Sequence, residues 1–281
     1  MVAGTAWQAL SSIDPSSGAC MTDLSVPGTP VRRGVVPQDT ARRAVPPASV
    51  PLRAWQDRLA RMEARPDPLA GAARVLVVSA HPHDETLGAG RLIAGHDGPV
   101  VALTLTAGEN CLVGHDVDTV DVGMLRLAEW RSAMAELGAD TLDTRRWVDG
   151  TLDVHEVDVA RLLLRTLQPG DVLLTPWSQD PDADHRAAGR AAREAADAAG
   201  VTVVEYPVWA PYLRTPHQVQ ETGQQLVPVE SGVLAGRAWR RALGQYLSQL
   251  EPWQPGWDPL VPADFVQHHL TQLVVEGASH P

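Results

Sequence analysis

The sequence predicts an α/β fold: a Rossmann-like, mainly parallel sheet with helices on both faces. Short runs of β-branched and aliphatic residues recur, as at 75–78 and, directly after Asp171, in the predicted strand 171–175. Continuous apolar runs of this length are typical of strands that are buried on both faces. Helical patterns separate these runs, as at 157–167. Because parallel strands are connected by crossover helices, this alternation predicts the parallel sheet.

In the first half of the chain, an amphipathic pattern predicts a helix over 52–62. The first strand, 75–78, has to stop by Pro82, which has no N–H to donate to a strand ladder. A helix follows from Glu85 through Leu92, and its glycines are interpreted as packing positions, since their spacing does not match a dinucleotide-binding loop. The next elements are predicted to be a strand over 100–106, a helix over 124–137 that ends at Gly138, and an extended segment over 141–148.

In the second half, a helix over 157–167 is predicted to end before Pro169-Gly170, and a strand over 171–175 follows. An alanine-rich pattern predicts a helix that begins at His185. Strand 201–206 and a helix over 234–250 come next. The remaining residues, rich in Trp and Pro, show no clear periodicity.

Length and composition exclude several classes of protein. The chain has 281 residues, which suits one domain over 51–281 preceded by a Pro-rich tail, residues 1–50, that is expected to be disordered. No signal peptide or membrane-spanning run is recognised, so a cytoplasmic location is expected. The net charge of −11 argues against nucleic acid or an anionic membrane as partner, and the absence of Lys excludes a P-loop. The oligomeric state is not predicted.

The segment after the first strand has the spacing of half a metal site. His81 and Asp84 lie three residues apart, where open α/β sheets form their crevices. A capped helix start with a solvated His83 would explain the same residues. The second half is supplied by His185, which follows the strand 171–175 and its loop. Two His and one Asp are a typical ligand set of catalytic zinc, with a fourth position left for water; the carboxylate also admits iron or manganese.

These residues resemble the PIG-L / LmbE-like zinc-dependent N-deacetylases, which remove acetyl groups from glucosamine derivatives and several natural products. The family patterns AHPDDE and HPDH stand here as AHPHDE (80–85) and DADH (182–185). Further matches extend the resemblance over about 74–276: TAGE (106–109), RLAEWRSAMAELG (126–138), WVDG (147–150) and Ser248-Gln249. The resemblance implies that His81, Asp84 and His185 bind the metal, the same three residues that their spacing indicates.

Two positions depart from the family pattern. The family's Asp that acts as general base is His83 here, and the family's His that stabilises the tetrahedral intermediate is Asp182. We expect His83 to take the proton from the zinc-bound water while Asp182 fixes its tautomer. Two alternatives remain open at this stage: that catalysis was lost and metal binding kept, and that His83 replaces Asp84 as a ligand.

Two substrate-binding residues follow from the resemblance. Arg126 matches a family arginine near the polar groups of the substrate; the alternative is a surface Arg paired with Glu129 or Glu136. Asp149 matches an aspartate that contacts the sugar; the alternative is an ordinary turn-forming Asp before Gly150. The family also often has a His at the position of Tyr246. The sequence therefore predicts a zinc-dependent hydrolase that removes an N-acyl group from a small amino sugar or glycoside, or a catalytically silent metal- or sugar-binding descendant.

Overall fold

The computed structural model describes residues 49–112, 117–143 and 146–277. Of the predicted tail, only residues 49 and 50 belong to this part of the chain; the rest of that prediction lies outside the described residues. Among the described helices, none combines the length and the apolar character required to cross a bilayer.

Five parallel strands form the central sheet, and the α/β prediction is confirmed. In spatial order the strands are β3, β2, β1, β4 and β5. Their bounds are β1 (Arg74–Ser79), β2 (Val100–Thr104), β3 (Asp140–Thr141), β4 (Asp171–Pro176) and β5 (Thr202–Tyr206). Val75 in the central strand lies opposite Val100 of β2 and Val172 of β4. A separate antiparallel pair consists of β6 (Gln225–Pro228) and β7 (Leu273–Glu276).

Helices surround the sheet. They are α1 (Leu52–Leu59), α2 (Asp84–Gly95), α3 (Thr119–Leu137), α4 (Glu156–Thr166), α5 (Ala183–Ala199), α6 (Ala210–Leu213), α7 (Pro216–Gln220), α8 (Val233–Leu243), α9 (Leu247–Leu250) and α10 (Ala263–Gln267). Two 3-10 turns span Glu109–Leu112 and Leu152–His155.

Alternate residues of β1 divide the core into two layers. Val75 and Val77 pack with α2, α3 and α8 on one face of the sheet, whereas Leu76 and Val78 pack with α4 and α5 on the other. All four side chains have no solvent exposure. Burial of side chains of this size is worth roughly 1.5–3 kcal/mol each. The continuous apolar run in the sequence therefore follows from helices on both faces of the sheet.

The structure corrects three details of the predicted elements. The extended segment 141–148 is wrong in length, because only Asp140–Thr141 form a strand beside β2. The helix 234–250 is divided in two, since α8 ends before Gly244 and α9 begins at Leu247. The helix expected from His185 begins earlier, at Ala183, because the side chain of Asp182 caps it.

Helix α2 needs glycine where it crosses the sheet. A Cβ at Gly88 would lie 2.3 Å from the Tyr206 ring and 2.8 Å from the carbonyl oxygen of Pro207. The packing interpretation of this glycine is therefore confirmed.

The strand order defines where a ligand would bind. The chain proceeds from β1 outward through β2 and β3 on one side, and from β4 to β5 on the other. Neighbouring strands whose connections leave in opposite directions open a crevice at their carboxyl ends, and this is the usual ligand position in open α/β sheets. In this chain the crevice lies between the ends of β1 and β4.

Candidate metal centre

Two loops meet at the crevice. The first loop, residues 80–83, connects β1 to α2, and the second loop, residues 177–182, connects β4 to α5. Both loops lead directly into a helix, so polar side chains from the loops and from the first helical turns converge on one place.

The three predicted metal ligands lie together. His81 Nδ1 is 3.2 Å from His185 Nε2, and Asp84 Oδ2 lies 3.5 Å from the first nitrogen and 3.1 Å from the second. Ligand atoms about 2.0–2.2 Å from a tetrahedral zinc are separated by roughly 3.3–3.6 Å. All three side chains are buried. The spacing of these donor atoms therefore fits a zinc-sized ion.

A buried carboxylate orients His185. Asp180 Oδ1 lies 3.1 Å from His185 Nδ1. Asp180 Oδ2 accepts hydrogen bonds from the backbone N–H groups of Val208, Trp209 and Ala210. Because an ionised carboxylate only accepts, Nδ1 of His185 carries a proton, and Nε2 is the nitrogen that faces the ligand cluster. Carboxylates behind metal-binding imidazoles commonly fix the ring in this way.

Two more carboxylates lie behind His81. Its Nε2 is 3.0 Å from Asp149 Oδ1 and 3.3 Å from Asp184 Oδ2. The Asp184 oxygens also accept from the backbone N–H groups of Gly150 and Leu152, at 2.7 and 3.1 Å. Asp149, which was predicted to contact the sugar, thus lies beside Nε2 of His81, the nitrogen on the opposite side of the ring from the metal position. With Nε2 facing carboxylates, Nδ1 is left to face the metal position.

The charges of this cluster suit a cation. Burial alone would lower the pKa of His81, but Asp149 and the neighbouring carboxylates raise it well above the usual value. Burial likewise opposes protonation of His185, yet Asp84 and the other acidic groups raise its pKa to about 10. Although burial would raise the pKa of Asp84, the adjacent His185 holds it well below its usual range. A divalent ion would take the place of the protons that these groups share.

His83 has a strained backbone. Its φ of 133° makes it the one non-glycine residue with positive φ in the described part of the chain. Such conformations cost of order 1–3 kcal/mol and concentrate at functional sites. The Nδ1 atom of His83 contacts Gln249 Oε1, and Nε2 lies 3.2 Å from Asp84 Oδ1. Burial lowers the pKa of His83, so the neutral ring is favoured.

Asp182 has a structural role that the sequence analysis did not predict. Its Oδ1 accepts from the backbone N–H groups of Asp184 and His185, at 2.8 and 3.2 Å, and so caps α5. Its carboxylate also lies within 4.8 Å of ligand nitrogens of His81 and His185. Asp182 therefore borders the metal position, whereas its pairing with His83 stays a prediction.

Arg126 holds the loops around the site. The buried guanidinium donates to the carbonyl oxygens of Gly108 and Pro82 and to Gln249 Oε1, the last at 2.9 Å. Glu129, its alternative partner on the same helix, bonds instead to the start of α9. Arg126 thus connects the first loop, the turn after β2 and α9 beside the predicted substrate position.

Sequence reasoning missed Asp180 and gave Gln249 no role. Asp180 precedes Pro181 after a buried strand, where an acidic residue is an ordinary turn former, so its type alone is uninformative. Gln249 contacts His83 across 166 positions of sequence, and the match of Ser248-Gln249 to the family pattern does not indicate such a contact. Tyr246, where the family often has His, is buried and donates from its hydroxyl to Glu85 Oε1 at 2.8 Å.

Comparison with known proteins confirms the resemblance over part of its predicted length. Residues 76–196 match the family model described as PIG-L, GlcNAc-PI de-N-acetylase. No curated protein matches the chain. Among solved structures, a triple mutant of a deacetylase of the teicoplanin biosynthetic pathway shares 18% identity at a TM-score of 0.53, covering 74% of this chain and 100% of that one. A deacetylase–teicoplanin complex gives 15% identity with the same TM-score and coverage.

A third solved structure is the N,N'-diacetylchitobiose deacetylase from Pyrococcus horikoshii in complex with an inhibitor. It shares 18% identity at a TM-score of 0.45, covering 69% of this chain and 79% of that one. At the identities of the two teicoplanin-pathway structures, the similarity shows a shared fold.

Proposed function

We propose that this chain is a metal-dependent hydrolase that removes an N-acyl group from an amino sugar or a sugar-containing small molecule. The acyl group that we propose is acetyl, because residues 76–196 match the PIG-L family model, which is described as a de-N-acetylase. One observation carries the proposal: donor atoms of His81, Asp84 and His185 lie 3.1–3.5 Å apart at the crevice of the sheet. That spacing suits a tetrahedral ion, and the residues belong to the segment that matches a de-N-acetylase family.

The same three residues would hold the ion. Zinc is the ion we propose, although the Asp ligand is also compatible with iron or manganese. When bound, zinc polarises the acyl carbonyl and lowers the pKa of a water molecule. The carboxylates of Asp180 and Asp149 keep the two imidazoles turned toward the ion.

His83 is the proposed general base. Its neutral ring takes a proton from the attacking water at Nε2 as the water oxygen forms a bond to the acyl carbon. The carbon–nitrogen bond then breaks, and His83 returns the proton to the amine nitrogen. The products are a carboxylic acid, acetate for an acetyl group, and the free amine. Asp182 borders the reacting position, and Arg126 and Asp149 are kept as the proposed residues around the substrate.

A catalytically silent metal- or sugar-binding protein is the second candidate. One observation favours it: Asp182, which replaces a family His, acts as a helix cap, and an ionised carboxylate cannot donate a hydrogen bond to a developing oxyanion. The two candidates share the metal centre and differ in turnover.

The test combines metal analysis with an amine assay. Purified protein would be loaded with zinc, its metal content measured by mass spectrometry, and a panel of N-acetylated amino sugars and glycosides incubated with it. We expect one bound zinc per chain and release of free amine. His185→Ala should lose both. His217→Ala, which removes a histidine side chain that is 80% exposed, is the matched control and should change neither.

The outcomes separate the candidates. Bound zinc without amine from any member of the panel would favour the silent protein. Amine release that survives His185→Ala, or a wild-type chain that binds no divalent ion, would contradict the proposed metal centre itself.

A further inference from the structure

We propose that Gln249 fixes the tautomer of His83, with the proton on Nδ1, so that Nε2 is the basic nitrogen facing the metal position. This assigns to an amide on α9 the orienting role that the sequence predicted for Asp182. The tautomer is a property of the folded chain alone. Its consequence for turnover rests on the proposed function.

The orientation of the Gln249 amide is determined by its neighbours. Arg126 can only donate, and its NH2 group lies 2.9 Å from Gln249 Oε1. The opposite end of the amide, Nε2, donates to the carbonyl oxygen of Pro82 at 3.2 Å. A flipped amide would place two donors against each other at Arg126 and two acceptors against each other at Pro82. The oxygen must therefore face Arg126.

The same oxygen contacts His83 Nδ1. Because an amide oxygen only accepts, Nδ1 must carry a hydrogen in order to bond to it. In a neutral imidazole the other nitrogen, Nε2, then has the lone pair. One tautomer of His83 is thus selected because a single buried oxygen, Gln249 Oε1, accepts hydrogen bonds from both Arg126 and His83.

The other ring nitrogen of His83, Nε2, faces a carboxylate oxygen of Asp84. Asp84 Oδ1 is buried, has no hydrogen-bond partner in the described part of the chain, and lies 3.2 Å from His83 Nε2. Two acceptors at this distance do not bond while His83 is neutral. The absence of a hydrogen bond at this distance agrees with an unprotonated Nε2.

Asp182 is not needed for this arrangement. Its Oδ1 is engaged by the first turn of α5, and the two ring nitrogens of His83 face Gln249 and Asp84. The group that accepts from Nδ1 is thus a neutral amide, whereas the carboxylate of Asp84 lies beside Nε2.

Nitrogen NMR of ¹⁵N-histidine-labelled, metal-free protein tests the tautomer directly. The His83 signals would be assigned by their loss in His83→Phe, and spectra would be recorded in mildly alkaline solution. We expect a protonated Nδ1 and an unprotonated Nε2. The opposite tautomer in the wild-type chain would overturn the proposal, whatever the enzyme assay shows.

Two variants of Gln249 give the second test. Gln249→Met keeps the size but removes the acceptor, so the Nδ1–H tautomer should no longer be fixed; Gln249→Glu keeps an acceptor and should retain it. With an active wild-type enzyme, Gln249→Met should lower kcat about 10-fold or more at similar KM and similar zinc content, and Gln249→Glu should recover much of kcat. An unchanged tautomer and kcat in Gln249→Met would refute the role of Gln249.

Discussion

The two loops at the crevice are held in opposite ways. The second loop is held by its own carboxylates: Asp180 accepts three backbone N–H groups, and Asp182 caps the helix that follows. The first loop has local support at His81, whose backbone N–H donates to Asp84 Oδ2 at 2.8 Å, but it places His83 at a φ of 133°. Pro82 and His83 contact the distant residues Arg126 and Gln249. The second loop is a relaxed ligand support, whereas the first is strained at the residue that we assign to proton transfer.

This difference indicates what each loop contributes. A metal ligand, the role that we propose for His185, only has to be held still, and local hydrogen bonds to a carboxylate do so. A base has to point at a reacting water, and here that direction requires a backbone conformation that side-chain-bearing residues rarely adopt. Strain in the first loop and rigidity in the second are the features that variants can separate.

The largest effect is expected at His83. His83→Ala and His83→Gly both remove the ring and should lower turnover about 10²–10⁴-fold, the usual contribution of a general base. In stability they should differ, because only glycine adopts a positive φ without strain. We expect His83→Gly to be more stable than His83→Ala by about 1–3 kcal/mol in urea unfolding.

At most positions the order of stability is the reverse. Where the backbone suits both residues, the alanine variant is normally more stable than the glycine variant. Equal stability, or the normal order, would show that the first loop is not strained. Turnover retained in both variants would remove His83 from the mechanism.

The second-largest effect should come from Asp180. Asp180→Asn weakens the hold on His185 Nδ1, so zinc affinity should fall about 10–100-fold in a competition titration. Asp153→Asn, an exposed position outside both loops, is the control and should leave affinity unchanged. Unchanged affinity in Asp180→Asn would contradict the carboxylate support of the second loop.

The sequence predicted the parts of the fold that depend on local pattern. The strands at 75–78 and 171–175 were found because burial on both faces requires continuous apolar residues, and the first loop and His185 followed from the strand ends. The β6–β7 pair was missed because it joins residues 225–228 to residues 273–276, which are far apart in the sequence. Neither segment has a periodicity that predicts its pairing with the other.

The candidate site was predictable to a similar depth. His81, Asp84 and His185 have ligand chemistry and follow β1 and β4 in the chain, so residue type and position were enough to propose them as ligands. The φ of His83 and its contact with Gln249 arise from tertiary packing, which a motif does not contain. For that reason the motif suggests Asp182 as the orienting residue, and the role that we propose for Gln249 is visible only in the folded chain.

A smaller effect is expected where α5 crosses the end of β4. A Cβ at Gly189 would lie 2.6 Å from both the Pro176 carbonyl oxygen and the Ser178 backbone nitrogen. Gly189→Ala should therefore destabilise the protein by about 1–3 kcal/mol, measured by urea unfolding. Gly236→Ala, in the open interior of α8, is the matched helix control and should be neutral or stabilising by up to about 1 kcal/mol. A tolerated alanine at 189 would mean that the second loop is less rigid than its contacts indicate.

The smallest effect is the helix cap at Asp182. Asp182→Ala should lower the free energy of unfolding by about 1 kcal/mol, and Asp182→Asn, which keeps a capping oxygen, by much less. Equal losses in thermal unfolding would show that the negative charge, rather than the cap, stabilises the second loop.

A crystal structure of the zinc-loaded protein, with the ion located by anomalous scattering, tests the central claim most directly. We predict an ion about 2.0–2.2 Å from His81 Nδ1, Asp84 Oδ2 and His185 Nε2, with its fourth position open beside His83 Nε2. The claim would be contradicted by an ion held instead among His81 Nε2, Asp149 and Asp184, or by Asp182 closing the fourth position.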